Sequence, residues 1–285
     1  MANKLTIPDL LEAKHSGRKL ASISCYDYTT ARFVVDAGMD MILVGDSAAQ
    51  LMLGHSSTLP ATMDFMIAIT SAVRRAAPDT CLVADMPFLS YQLSISEALK
   101  NAGRFVVEAG ADIVKIEITR TYLDVIKAVS DADIAVMAHI GIRPQSIGKL
   151  GKFKAEGTTS QLAVDLIELA DDLVEAGAAF LLLEGVAREV AKIITERVKV
   201  PVISCGSGPD CDGQVLVAPD VLGLLGKEGP KFAKSFADLS GESVKAFSEY
   251  AEQVHTGVFP EDGLCFHVKS GELEKLQQAL RSMRI

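Results

Sequence analysis

The chain has 285 residues with 28 basic and 37 acidic side chains, a formal net charge of −9, and 49% hydrophobic residues. That composition provides for a large core, and the acidic balance, without basic tracts interleaved with aromatics, argues against a nucleic-acid or anionic-membrane partner. No stretch approaches the roughly 20 apolar residues of a membrane span, and the opening MANKLTIPDLLEAKHSGRKL lacks the apolar segment of a secretory signal, so a soluble cytoplasmic protein is expected.

In chain order, the first apolar run is LASISCY (20–26), followed by YTTARFVVDAG, whose apolar positions recur at helical spacing. DMILVG (40–45) precedes helical TMDFMIAITSAVRRAA, and TCLVAD (80–85) precedes SISEALKNAGRFVVEAG. DIVKIE (112–117) is followed by TYLDVIKAVSD, and DIAVMAH (133–139) by a segment of poor periodicity, GIRPQSIGKLGKFKAEGTTS (141–160). A long loop after the fifth strand fits that segment, of the kind that often forms a lid. QLAVDLIELADDLVEAG leads to AAFLLLE (178–184), then KVPVISCG (199–206) and a weaker candidate for an eighth strand, APDVLGLL (218–225). Residues 268–285 read as a terminal amphipathic helix that caps the barrel or joins a subunit interface.

Three helices close on the phrases DAGMD, EAGAD and EAGAA, whose glycines suit a left-handed residue ending a helix before a strand. Strands apolar almost throughout suit a parallel sheet buried on both faces. Alternation over about eight units predicts a single α/β domain over 1–285, a (β/α)8 TIM barrel, with a C-terminal helical extension from about residue 268. The alternative, an open doubly wound sheet, calls for a glycine fingerprint after the first strand, and SISCYDY has none. The G-x-G in CGSGPDCDG marks a tight turn. Five cysteines, with no C-x-x-C, fit neither zinc spacing nor a disulfide framework. Cys25 and Cys81 read as small buried thiols.

Several apolar runs end on a polar residue: Asp46, Asp85, Glu117, His139 and Glu184. At the carboxyl ends of barrel strands these face one mouth, where active sites form. Carboxylates gathered there repel one another and resist desolvation. A divalent cation relieves that cost, and oxygen donors suit Mg2+, with Mn2+ or Co2+ as substitutes. The bland alternatives are helix N-caps for the acids and a structural role for the histidine. Lys115 lies two residues before Glu117, on the same strand face, and there needs an anion, such as a substrate carboxylate. Tyr26 binds substrate or packs against the barrel rim.

The ordered set YDYTTA, VGDS, GHSSTLPATMD, VADMPF, EAGADIVKIE, AHIGIRPQS, LLLEGV, VPVISCGSGPDCDGQVLV and PKFAK resembles the ketopantoate hydroxymethyltransferase family over about residues 5–267. The resemblance implies a barrel of the phosphoenolpyruvate mutase/isocitrate lyase superfamily and a homo-oligomer, often a decamer. It implies Mg2+-dependent transfer of a hydroxymethyl group from the co-substrate 5,10-methylenetetrahydrofolate to 3-methyl-2-oxobutanoate, in pantothenate biosynthesis. By matching motifs, Asp46 and Asp85 hold the metal and Glu117 supports it through water. Ser47 and Lys115 bind the keto-acid carboxylate or its surroundings, His139 lines the site, and Glu184 is the general base.

The chain departs from the family pattern at GDSAAQ (45–50), KIEIT (115–119), AHIGI (138–142), EGTT (156–159) and SCGSG (204–208), and at all of these but EGTT the family commonly has more glycine. Lost glycines add side chains near a ligand, and Glu156 brings a negative charge to the lid. These changes leave a second reading, a folate-independent, metal-dependent lyase or aldolase on another 2-oxo acid. A third reading is a non-catalytic oligomeric binding protein.

Overall fold

The computed structural model describes residues 5–226 and 229–283. Eight parallel strands close into a barrel in sequence order, β1 (Leu20–Ser24), β2 (Met41–Val44), β3 (Cys81–Asp85), β4 (Ile113–Glu117), β5 (Ala135–Gly141), β6 (Phe180–Glu184), β7 (Val202–Cys205) and β8 (Gly213–Val217), with β8 pairing back to β1. The TIM barrel expected from the alternation is the observed fold. Around it lie α2 (Tyr28–Asp36), α3 (Ala48–Leu51), α4 (Met63–Ala76), α5 (Ile95–Val107), α6 (Leu123–Asp131), α7 (Ile147–Leu150), α8 (Ser160–Glu175), α9 (Arg188–Arg197) and α10 (Ala218–Val221), all preceded by α1 (Ile7–His15).

Alternation along each strand divides the core in two. Leu20, Met41, Val83, Ile113, Met137, Phe180, Leu182, Ile203 and Val215 pack together inside the barrel. Ile42, Leu82, Ala84, Val114, Ile116, Val136, Leu181 and Val202 pack outward against the helices. A strand sends successive side chains to opposite faces, so Ile113, Lys115 and Glu117 share the inner face of β4. The three AG phrases end helices as expected: Gly38, Gly110 and Gly177 have φ of 73°, 70° and 102°.

Three features differ from the expected pattern. First, α1 was not anticipated. Thr6 caps it in a reciprocal box with Asp9, and its buried Leu10 and Ala13 join the interior cluster. Second, the eighth strand is Gly213–Val217, and Ala218–Val221 of the expected run APDVLGLL is helical. Pro219 there has no N–H to give a sheet and suits the first turn of a helix. Third, no helix separates β7 from β8. Gly213 of β8 pairs beside Ile203 of β7, so the chain needs to drop back by about two residues, some 7 Å at strand rise. A turn through Gly206 and Gly208, with φ of 72° and 95°, does this, and a Cβ on Gly206 would lie 2.4 Å from the Phe232 ring.

Segment 141–160 is mainly loop, as expected, with α7 as one short helical turn. By contacts the chain forms two compact units, Met1–Ala237 and Asp238–Ile285. The second holds α11 (Leu239–Thr256), which was not anticipated, and α12 (Glu272–Ser282), inside the helix expected from residue 268. Tyr250 meets Phe259 edge to face at 5.3 Å. Among the described residues no helix is long and apolar enough to cross a membrane.

Candidate active site

The carboxyl ends of the strands open onto a cavity of about 880 Å³. Its polar wall contains Asp46 and Ser47 after β2, Asp85 of β3, Lys115 of β4, His139 of β5 and Glu184 of β6. Asp46, Asp85, Lys115, Glu117 and His139 are all buried. None of the strand-end acids caps a helix, so capping does not account for them.

Asp85 organises the group. Its Oδ2 accepts from Lys115 Nζ at 2.7 Å and from the Asp46 N–H at 3.0 Å, while its Oδ1 has no hydrogen-bond partner among the described residues. Gly45 leaves room beside this group, since a Cβ there would lie 3.0 Å from Ser47 Oγ and 3.2 Å from Ser24 Oγ at the end of β1. The need Lys115 has for an anion is thus met by Asp85. Burial opposes its charge, but Asp85, Asp46 and Glu117 around it outweigh that and raise its pKa. It stays cationic.

Burial, then repulsion from Asp85, pushes the Asp46 carboxyl up to about 7. Burial also holds the Glu117 carboxyl well above the ordinary range, while Lys115 pulls the other way. Glu117 Oε1 is unpartnered and lies 3.9 Å from His139 Nδ1. His139 Nε2 is 3.4 Å from Glu184 Oε2, without hydrogen-bond geometry. Burial, reinforced by Lys115 and Arg143, drives the His139 pKa well below its usual value, so the ring is neutral at pH 7. The Glu184 carboxyl is raised by burial to about 7.

Two of the expected residues stand behind the cavity wall. Tyr26 is buried with its hydroxyl 2.8 Å from Ser47 Oγ, which makes it a support for Ser47. Glu117 sits beneath the cavity, reached through His139 and Gln145. Glu156, in the 141–160 segment, does not line the cavity either. Its backbone N–H donates to Gly185 O and its carbonyl accepts from Ala187, both at 3.0 Å. Ile142, Pro144 and Phe153 are the residues of that segment in the wall.

Sequence reasoning missed Gln145 and Tyr91. Gln145 Nε2 donates to Asp46 Oδ2 at 2.9 Å and to Met86 O at 3.0 Å. Its N–H donates to Glu117 Oε2 at 3.1 Å, and its Oε1 accepts from the Tyr91 hydroxyl at 2.8 Å. One buried residue, through its side-chain amide and its backbone N–H, therefore joins the ends of β2, β3 and β4. The available signal was a proline-led turn, RPQS, directly after the histidine strand.

The donor set suits a hard divalent cation that keeps part of its water shell. Among the described residues no three His, Cys, Asp or Glu side chains are grouped to hold a metal by themselves. Mg2+ does not need such a cage, because it keeps several waters and binds through one or two carboxylates plus substrate oxygens. Asp85 Oδ1 and Glu117 Oε1, buried without partners beside a third carboxylate, fit that demand. Unpaired buried acceptors are costly, and a cation offsets the cost.

Solved structures with this fold include 2,3-dimethylmalate lyase, a PEP mutase/isocitrate lyase superfamily member, at TM-score 0.58 and 19% identity over 98% of this chain and 96% of that one. Phosphonopyruvate hydrolase matches at TM-score 0.61 and 16% identity, over 99% and 97%. These establish the fold alone. Sequence relatives are much nearer. The 3-methyl-2-oxobutanoate hydroxymethyltransferase of Pelobacter propionicus is 46% identical over 267 residues, 94% of this chain and 99% of the relative. That of Hyperthermus butylicus is 46% identical over 277 residues, 97% and 96%. The family profile described as ketopantoate hydroxymethyltransferase matches residues 4–262. The chain belongs to the ketopantoate hydroxymethyltransferase family.

Proposed function

We propose that this protein transfers a hydroxymethyl group from 5,10-methylenetetrahydrofolate to 3-methyl-2-oxobutanoate, giving 2-dehydropantoate. The observation that carries the reading is the set of Asp46, Asp85, Lys115, Glu117, His139 and Glu184 gathered at one mouth, in a chain 46% identical to proteins of that name.

Asp46 and Asp85 would hold Mg2+, with Glu117 behind them acting through water. Bound there, the cation supplies polarisation of the substrate's keto oxygen, which acidifies the neighbouring C3–H. The chain's own residues do the rest. Lys115, held on Asp85, keeps positive charge at the position where the substrate carboxylate arrives. Ser47, oriented by Tyr26, offers that carboxylate a hydroxyl. Neutral His139 presents a ring nitrogen to the substrate without adding a charge that would pair off the base. Glu184 takes the C3 proton. Water adds to the methylene carbon as its two C–N bonds to folate break, the folate nitrogens keep the water's protons and tetrahydrofolate leaves. The electron pair at C3 attacks that one-carbon unit, and the alkoxide so formed takes the proton back from Glu184. A carboxyl raised to about 7 is a better base than an ordinary glutamate and is still substantially ionised at neutral pH. Segment 141–160, tied to the β6 end through Glu156, restricts water at the mouth.

Proton NMR of 3-methyl-2-oxobutanoate in D2O, with enzyme and Mg2+ but no folate, tests the first half of this reaction. The C3–H signal is expected to disappear, and EDTA is expected to prevent it. Exchange of other 2-oxo acids while this signal persists would instead favour a lyase or aldolase on a different substrate.

A further inference from the structure

The metal-side cluster occupies one part of the cavity. At about 880 Å³ the space is that of a drug-sized ligand, far more than a five-carbon oxo acid fills. The remaining wall is largely apolar, made by Leu51, Phe153, Leu225, Pro230 and Phe232. One carboxylate interrupts it. Asp220, in the short helix α10, lines this wall. Its backbone carbonyl accepts from Ser235 Oγ at 2.8 Å, but no donor among the described residues reaches its carboxylate. A Cβ on Gly229, itself a cavity residue, would lie 3.0 Å from Asp220 Oδ1, so the carboxylate rests against a residue without a side chain. Burial raises its pKa, and no cation among the described residues compensates. Cys205, which pairs beside Glu184 on the adjacent strand, lines the same cavity as both Glu184 and Asp220. The second carboxylate therefore belongs to the same chamber as the proposed base.

A half-buried carboxylate without a donor, set among apolar and aromatic side chains, suits a particular kind of ligand. That ligand is flat, so that it packs on rings such as Phe232, and it carries adjacent N–H groups that a carboxylate takes in a two-pronged bond. The edge of a 2-amino-4-oxopyrimidine ring has this pattern. We infer that Asp220 is the recognition group for the bicyclic ring of the one-carbon donor, binding its 2-amino and ring N–H edge, and so makes the second-substrate subsite of the cavity. The inference rests on the folate-dependent reading above.

The test separates the two substrates. Asp220→Asn and Asp220→Ala are compared with wild type in C3–H exchange without folate and in steady-state transfer. We expect exchange and the KM for the oxo acid to stay within about twofold, and the KM for methylenetetrahydrofolate to rise roughly tenfold to a hundredfold, the size of a lost charge-assisted hydrogen bond. Equilibrium binding supplies a second readout. Replacing tetrahydrofolate by its 2-desamino-2-methyl analogue should weaken binding to wild type but leave binding to Asp220→Ala nearly unchanged, because the contact is already gone. A variant with the wild-type KM for the donor overturns the inference. So does an equal loss of exchange and transfer, or an analogue that loses the same factor on both proteins. Wild type that exchanges C3–H but does not transfer from methylenetetrahydrofolate overturns the folate reading itself, and the inference with it.

Discussion

The two ends of the barrel use the same residue types to opposite effect. At the amino-terminal end, Asp40, Asp112 and Asp212 each stand just before a strand. Each accepts a backbone N–H from the neighbouring strand, Ala21, Leu82 and Val202 respectively, and each pairs with a cation, Arg18, Arg74 and Lys14. Arg74 also donates to the carbonyls of Gly110, Ala77, Pro78 and Thr80. These groups are satisfied, and they tie helices to strand starts. At the carboxyl end, Asp46, Asp85, Glu117 and Glu184 share one lysine and a neutral histidine, and Asp85 Oδ1 and Glu117 Oε1 have no hydrogen-bond partner among the described residues. A protein selected for stability alone would not bury acceptors this way, because each unmet one costs about 1–3 kcal/mol. Paired carboxylates hold the barrel together, and unpaired ones are kept available for a ligand.

The contrast can be broken most sharply at Glu184. Glu184→Gln is expected to slow C3–H exchange by about a hundred- to ten-thousand-fold, the usual worth of a positioned base, while calorimetry shows retained Mg2+ binding. In wild type the same base sets a pH dependence. Its pKa is raised to about 7 by burial, with Lys115 lowering it and Asp85 raising it. His139 and Cys205 are its other titratable neighbours, and both are neutral at pH 7. Since the base acts when ionised, exchange should climb with pH below about 7 and level off above it, and the step should vanish in Glu184→Gln. A rate for that variant equal to wild type would remove Glu184 from the role.

A smaller effect is expected where the unpaired end is held in place. Gln145→Met removes the amide that orients Asp46 and should weaken Mn2+ binding, followed by electron paramagnetic resonance, about tenfold to a hundredfold. Tyr91→Phe should weaken it less. The double variant should match Gln145→Met alone, because Tyr91 acts on the cation through Gln145. Additive losses would mean that Tyr91 works by another route, such as its contact with the Glu117 carbonyl at 2.9 Å.

Least change in activity is expected at the satisfied end. Asp112→Ala should lower stability to denaturant by about 1–3 kcal/mol, since Arg74 and the Leu82 N–H lose an acceptor. The exchange rate of the folded fraction should not move. A loss of exchange with no loss of stability would erase the distinction between the two ends.

Much of this organisation is legible in the sequence. Alternating β-branched runs and helical periodicities predicted the barrel, and the polar residue closing each run predicted the mouth, because a buried parallel strand has few reasons to end in a carboxylate. The legible parts have local causes, a period of two or 3.6 residues and a turn chemistry. The missed parts depend on closure. Gln145 reaches Asp46 across 99 residues of sequence, and no periodicity marks a polar residue in a loop. The eighth strand was displaced because APDVLGLL is more apolar than GQVLV, yet pairing with both β1 and β7 selects the latter. The sequence by itself determined that a barrel forms and which acids stand at its mouth, since burial and side-chain alternation act residue by residue. Only the tertiary structure decided which of those acids are paired, which are left open, and that Asp220 stands in the same chamber, because hydrogen-bond satisfaction is settled by groups that meet only when the sheet closes.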